Sequence, residues 1–176
     1  MQVSLPVGGM LPSVLCGSPG DHEEDSPWRP WRHIYMLAGG SGITPFLRVL
    51  RHHSRLSSFD EKDGVIPKLC LLWFNRTLDN IVLADELSQL VSRLQPRLTV
   101  QHILSEDGAE GPKAPNVISG RLTEDLVRSF VSSEQHSRQP DATLWLICGP
   151  RGFNTAAVGI LETLREHSSN VHVLQA

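Results

Sequence analysis

The stretch "MLAGGSGITPF", residues 36–46, decides the fold, because it joins an apolar run to an amphipathic one through three glycines in four positions. The run "HIYMLA" (33–38) is short and apolar and stops at glycine, which is typical of a buried strand. Thr44 and Pro45 then predict the start of a helix, with a hydroxyl N-cap followed by proline at the first helical position. Glycines at such a junction indicate that some group approaches the backbone too closely to leave room for a side chain.

The same succession of strand and helix continues along the chain. Short apolar runs predict further strands at residues 68–74, 98–104, 143–148 and 171–174. Apolar residues at helical spacing predict helices over about 83–94, after Thr123, and over about 153–167 with Ala156, Ile160 and Leu164 facing inward. Residues 105–120, rich in glycine and proline, predict a loop. The unbroken alternation predicts an α/β fold with a doubly wound five-stranded parallel sheet.

Ligands of such sheets bind at the carboxyl ends of strands, where the strand order reverses. This rule selects the loops after the first, second and fourth predicted strands, which read "GGSGIT" (39–44), "NRT" (75–77) and "CGPRG" (148–152). In the first loop, glycines that lead into a helix N-terminus expose backbone N–H groups, and these suit a phosphate or pyrophosphate. A tight turn without a ligand is the alternative, because the spacing matches neither the GxGxxG dinucleotide fingerprint nor a P-loop.

The composition of the chain argues against several classes of protein. The chain has 176 residues, 40% of them hydrophobic, with a formal net charge of −3, so it lacks the basic surface of a nucleic-acid-binding protein. No run reaches the roughly 18 apolar residues of a membrane span, and the N-terminus lacks the basic region of a signal peptide. Cys16, Cys70 and Cys148 are odd in number and widely spaced, which argues against disulfides or structural zinc and favours a reducing compartment. We expect the eight histidines to be structural or solvated, with no metal site.

Three ordered motifs, "AGGSGITPF" (38–46), "FNRTLDNIVLADEL" (74–87) and "CGPRGF" (148–153), resemble the nucleotide domain of the ferredoxin-reductase superfamily. The likeness is to the NADH–cytochrome-b5 reductase branch and covers residues 33–176. It implies a ferredoxin-reductase-like NAD(P)-binding domain over 33–176.

The resemblance also implies site residues. The pyrophosphate loop corresponds to Gly39, Gly40, Ser41, Gly42, Ile43, Thr44 and Pro45, with Ser41 in place of the usual threonine. The turn near the adenosine ribose corresponds to Asn75, Arg76 and Thr77, and the turn beside the nicotinamide to Cys148, Gly149 and Pro150. Thr44 and Cys148 are the implied catalytic residues, because their counterparts lie where the nicotinamide meets the flavin. Arg151 and Gly152 stand where prolines are usual, which loosens that turn.

Family members carry FAD in a β-barrel domain that precedes the nucleotide domain. The barrel's R-x-Y-[ST] mark is absent here, since the only tyrosine is Tyr35. We therefore expect residues 1–32 to be the end of a flavin domain plus a linker, in a chain that is a fragment, a short isoform or a degenerate paralogue.

Two functions stay open on this basis. One is the nucleotide-binding half of an NAD(P)H-dependent flavin oxidoreductase, which passes hydride from NADH or NADPH to FAD and then electrons to a haem protein such as cytochrome b5. The other is a non-catalytic nucleotide-binding or interaction module derived from that fold. Arg76 is either a solvated turn residue or a partner for the 2′-phosphate of NADPH. The expected location is cytoplasmic, with an N-terminal membrane anchor upstream left open, and an unrelated α/β domain is a third alternative.

Overall fold

The computed structural model describes residues 4–5, 31–56, 66–81, 83–106, 116–133, 142–166 and 168–174. Its strands are β1 Ser4–Leu5, β2 His33–Gly39, β3 Lys68–Asn75, β4 Leu98–Leu104, β5 Val117–Ser119, β6 Thr143–Cys148 and β7 Val171–Leu174. Its α-helices are α1 Thr44–Leu56, α2 Ala84–Leu94, α3 Glu124–Ser133 and α4 Arg151–Thr163. Short 3₁₀ turns lie at Gly40–Ile43, Leu78–Asn80 and Ser168–Asn170.

The strands form one seven-stranded sheet in the order β1-β7-β6-β2-β3-β4-β5, and every neighbouring pair is parallel. From β2 the chain proceeds outward through β3, β4 and β5, and then returns to β6 on the other side of β2. The strand order therefore reverses between β2 and β6. The predicted doubly wound parallel α/β fold is confirmed, and this reversal is where such sheets bind ligands.

Alternating residues of the central strand face two separate cores. Ile34 and Met36 of β2 pack with the apolar faces of α1 and α2. Tyr35 and Leu37 pack on the opposite face, with α3 and α4. A strand covered on both sides needs apolar residues at every position, which explains the continuous apolar runs in the sequence.

The number of strands was underestimated. Residues 105–120 were predicted as a loop, but Val117–Ser119 forms β5 and pairs with His102–Leu104 of β4. A three-residue edge strand leaves no apolar run to detect, and Ile118 and Ser119 are exposed. The seventh strand comes from Ser4–Leu5, which pairs with β7. The rest of the proposed flavin-domain end and linker, residues 1–3 and 6–30, lies outside the described residues.

The predicted start of α1 was wrong in its capping. Thr44 is itself helical, with φ −54° and ψ −50°, and its hydroxyl donates to the carbonyl of Ser41 at 2.9 Å. The preceding 3₁₀ turn leads directly into the helix, so no extended N-cap residue is needed. The cap predicted for α3 is confirmed, because the Thr123 hydroxyl accepts a hydrogen bond from the Leu126 N–H at 3.3 Å.

The predicted α4 was displaced along the sequence. The helix runs over Arg151–Thr163 rather than 153–167, and Ala157 and Leu161 are its buried residues while Ala156 is exposed. Ile160 and Leu164 are half-buried against the same core. The sequence "AAVGIL" has apolar residues on several sides, so spacing alone left the inward face ambiguous by one position.

No helix in the described part of the chain is both long and apolar enough to cross a membrane.

Candidate functional site

A cavity of about 630 Å³ opens at the carboxyl edge of the sheet, next to the reversal between β2 and β6. Its volume falls within the range of about 300–1,000 Å³ that is typical of small-molecule sites. It brings together residues from five strand ends: Gly39, Gly40, Ser41, Phe74, Asn75, Arg76, Asn80, Ser105, Gly120, Arg121, Leu122, Pro150 and Phe153.

Two of the three loop glycines lie close to other parts of the protein, and at Gly42 this contact leaves no room for a side chain. A Cβ atom on Gly42 would lie 2.0 Å from the carbonyl oxygen of Cys148. The loop can therefore pack against the end of β6 only because residue 42 has no side chain. A Cβ on Gly39 would lie 3.0 Å from Cγ of Phe153. The close approaches that these glycines allow are therefore made by β6 and by an aromatic ring of α4.

Gly40 differs from the other two glycines. Its φ is +54°, which glycine adopts far more readily than residues with a Cβ, and a Cβ there would meet nothing within 4 Å. The space in front of Gly40 belongs to the cavity. The indole N–H of buried Trp73 donates to the Gly40 carbonyl at 2.9 Å and so holds this carbonyl toward β3.

The ends of β3 and β4 form the neighbouring wall. Asn75 is buried, and its Nδ2 has no hydrogen-bond partner among the described residues, so this donor is unsatisfied beside the cavity. The Arg76 Nε lies 3.4 Å from Oε1 of Glu106, and the Glu106 N–H donates to the Arg76 carbonyl at 2.9 Å. Thr77 is not among the lining residues, and its hydroxyl donates to Oδ1 of Asn80, a residue of the cavity wall, at 3.1 Å.

Apolar side chains form the remaining wall. The rings of Phe74 and Phe153 lie 5.3 Å apart with an interplanar angle of 59°, next to Pro150 and Leu122. The arginines Arg76 and Arg121 and the glycines Gly39 and Gly40 occupy the other sides. A ligand that carries both anionic groups and flat rings matches this division of the surface.

The predicted site residues divide into two groups. Lining the cavity are Gly39, Gly40, Ser41, Asn75, Arg76 and Pro150. Lying behind or beside its wall are Gly42, Ile43, Thr44, Pro45, Thr77, Cys148 and Gly149.

The two candidate catalytic residues belong to the second group. Cys148 is fully buried at the end of β6, and burial raises the pKa of its thiol, so the thiol is neutral at physiological pH. Thr44 is exposed, with its hydroxyl directed to the Ser41 carbonyl. In the described part of the chain, no cluster of three potential metal ligands occurs.

Several cavity residues were missed from the sequence. Ser105 follows β4, and the same carboxyl-end rule would have included it. Gly120 and Arg121 follow β5, whose three residues give no periodic signal. Phe153 ends the motif "CGPRGF", and nothing in the sequence indicates that its ring faces a cavity.

Comparison with known proteins agrees with this geometry. Residues 36–159 match the family described as oxidoreductase NAD-binding domain. The chain belongs to this family. The expected likeness to the cytochrome b5 reductase branch of the ferredoxin-reductase superfamily is confirmed, which excludes an unrelated α/β domain.

Relatives of this NAD-binding domain are longer proteins. Cytochrome b5 reductase 4 of Danio rerio is 32% identical over 175 residues, which cover 98% of this chain and 29% of that protein. NADH-cytochrome b5 reductase 2 of Rattus norvegicus is 33% identical over 119 residues, covering 67% of this chain and 37% of that protein. The chain thus spans 29% to 37% of the length of these relatives.

The cytochrome b5 reductase domain of Ulva prolifera nitrate reductase has the same fold. It matches with a TM-score of 0.62 at 22% identity, over 83% of this chain and 50% of that chain.

Proposed function

We propose that this NAD-binding domain binds NADH or NADPH in the cavity and acts as the nucleotide half of a flavin oxidoreductase. In this proposal the hydride goes to FAD on another domain, and electrons then pass to a haem protein such as cytochrome b5. The observation that carries the proposal is the open space in front of Gly40, next to the point between β2 and β6 where the strand order reverses. It gains weight because the chain belongs to a family of NAD-binding domains. The nucleotide domain would comprise residues 33–176.

The cavity residues fit a nicotinamide nucleotide. Backbone N–H groups at Gly40 and Ser41, near the N-terminus of α1, would hold the pyrophosphate. The Asn75 amide would serve the adenosine ribose, and the walls at Phe74 and Phe153 would cover ring faces. When bound, the nucleotide supplies a hydride, and the chain's own residues orient it and exclude water.

Thr44 and Cys148 remain the residues proposed to lie beside the nicotinamide. The close approach of Gly42 to the Cys148 carbonyl keeps the glycine loop and the end of β6 together. A neutral, buried thiol there supplies shape and a weak polar contact rather than charge.

One observation favours a second candidate function, a non-catalytic nucleotide-binding module. Cys148 does not line the cavity, and the adjacent turn carries Arg151 and exposed Gly152 in place of prolines. Such a chain could keep nucleotide binding while holding the nicotinamide loosely.

Gly40→Asn tests whether the glycine loop binds nucleotide. Asparagine tolerates a positive φ better than most residues, so the backbone is retained while a side chain enters the open space. We expect NADH affinity, measured by calorimetry, to fall at least tenfold, or about 1.4 kcal/mol.

Gly159→Asn provides the matched control for this variant. Gly159 is an exposed residue of α4, outside the cavity lining, where a Cβ would meet nothing within 4 Å, so this change should leave NADH affinity unaltered. Equal NADH affinity in the parent and Gly40→Asn would contradict a pyrophosphate at this loop.

A further inference from the structure

The two arginines that line the cavity differ in their electrostatic surroundings. Arg76 faces the carboxylate of Glu106 at 3.4 Å, so part of its charge is already compensated. Arg121 is exposed, and within the described ranges it has no ion-pair partner. Of these two arginines, Arg121 is therefore the one whose charge is uncompensated by any carboxylate in the described part of the chain.

The backbone at Arg121 is fixed although its side chain is exposed. The Gly120 N–H donates to the Leu104 carbonyl at 2.8 Å, which extends the pairing of β5 with β4 by one residue. Leu122, on the other side, packs against the core that α3 and α4 share. The guanidinium is thus attached to an ordered point on the cavity wall.

The sheet order places Arg121 at the end of the cavity farthest from the glycine loop. Three strand spacings, roughly 14 Å, separate β2 from β5, whereas Arg76 directly follows β3, which is only one spacing from β2. A nucleotide whose pyrophosphate lies at Gly40 and Ser41 would extend its adenosine across β3 and β4 toward β5. Arg121 therefore faces the adenosine end rather than the pyrophosphate.

We infer that Arg121 makes this domain select NADPH over NADH, by pairing its guanidinium with the 2′-phosphate of the adenosine ribose. The inference rests on the proposed nucleotide binding and specifies its ligand. An arginine offers paired N–H donors that match phosphate oxygens, and such charge-assisted bonds are about twice as strong as neutral ones. Glu106 would repel a 2′-phosphate placed beside Arg76, so Arg76 is the poorer partner.

The test is the ratio of NADPH to NADH affinity, measured by calorimetry on the full chain. We expect the parent to prefer NADPH, and Arg121→Gln to lose about tenfold in affinity for NADPH with NADH little affected. Adenosine 2′,5′-bisphosphate and 5′-AMP, which differ only in the 2′-phosphate, should repeat this difference. Arg121→Lys should keep part of the preference, and high salt should reduce it.

Two further variants serve as controls. Arg76→Gln should weaken both nucleotides by a similar factor, because its position is near the part that they share. Arg128→Gln removes an exposed arginine of α3 that pairs with Glu124 away from the cavity, and it should change neither affinity.

The outcomes separate the two claims. A parent that binds neither nucleotide contradicts the proposed function and the inference together. A parent that binds nucleotide but prefers NADH, or whose ratio is unchanged in Arg121→Gln, overturns the inference alone. A ratio that shifts in Arg76→Gln instead would move the selectivity to Arg76.

Discussion

Trp73 holds the glycine loop through a single hydrogen bond, from its indole N–H to the Gly40 carbonyl. Trp73→Phe would remove this donor while keeping an aromatic ring in the core. A typical hydrogen bond contributes about 0.5–1.5 kcal/mol, so we expect nucleotide affinity to fall roughly 2- to 12-fold as the loop loses its fixed orientation. Fluorescence titration with NADH measures this, and thermal unfolding reports the loss of core packing separately.

Trp145→Phe is the matched control for the glycine-loop prediction. Trp145 is equally buried, but it stacks on Tyr35 and donates to Glu166 at 3.1 Å, away from the cavity. We expect this variant to lose stability and keep its nucleotide affinity. If both variants bind NADH alike, the Trp73 bond has no part in orienting the loop.

Individual site residues were partly predictable from the sequence. Gly40, Ser41, Asn75 and Arg76 follow strands at the loops that the sheet topology selects, and they do line the cavity. The sequence did not show why a side chain is disfavoured at Gly39 and Gly42. Only in the folded chain do Phe153 and the Cys148 carbonyl lie against the loop.

At the scale of elements, α1 carries a histidine that makes stability depend on pH. His53 is 2% exposed, and burial, with smaller contributions from His52 and Arg97, lowers its pKa to about 4. Because the ordinary value is 6.5, the unfolded chain takes up the proton first as the pH falls. His53 therefore stabilises the fold fully above pH 6.5, and this stability is lost as the pH falls toward 4, by roughly 3 kcal/mol.

Urea unfolding between pH 7 and pH 4 checks the contribution of His53. His53→Gln places an amide that does not titrate at this position, so its stability should fall less steeply with acid than that of the parent. His52→Gln, a change at the half-buried neighbour, should retain most of the parent's slope. Parallel curves for the parent and His53→Gln would show that burial of His53 has no effect on the pH dependence.

Elements were predictable in proportion to their length and burial. The long strands β2, β3, β4 and β6 contain continuous or nearly continuous apolar runs, since helices cover both faces of the sheet. The edge strand β5 has only three residues and gave no such signal. The start of α1 was misjudged because the hydroxyl of Thr44 bonds backward to Ser41, and residue identity does not distinguish that bond from a forward cap.

At the scale of the whole molecule, the parallel order of the strands creates the site by gathering five strand ends at one edge. The family and its fold could be predicted because three motifs occur in this sequence in the order that is typical of the ferredoxin-reductase superfamily. The proposed choice between NADH and NADPH could not be predicted from those motifs. It is argued from the pairing of Arg76 with Glu106 and from Arg121, which follows the short strand β5 that the sequence did not reveal.

The chain is proposed to perform only the nucleotide-binding half of a hydride transfer. Hydride transfer needs the reacting atoms about 3–3.5 Å apart, and in the proposed arrangement the cavity holds the nucleotide while another domain holds the flavin. We expect the 176-residue chain to bind NAD(P)H, to purify without flavin absorbance, and to reduce ferricyanide hardly at all. Fused to the flavin domain of a cytochrome b5 reductase, it should gain that activity.

Cys148→Ala in the fusion then separates positioning of the nicotinamide from nucleotide binding. Because the nicotinamide is proposed to lie beside Cys148, turnover should fall more than nucleotide affinity. Cys70→Ala is the control, since Cys70 is an equally buried cysteine in the opposite core. Flavin bound to the isolated chain would contradict the proposed division of labour. A folded fusion that holds FAD and nucleotide yet stays inactive would instead favour the non-catalytic module, because only the positioning of the nicotinamide would then be lacking.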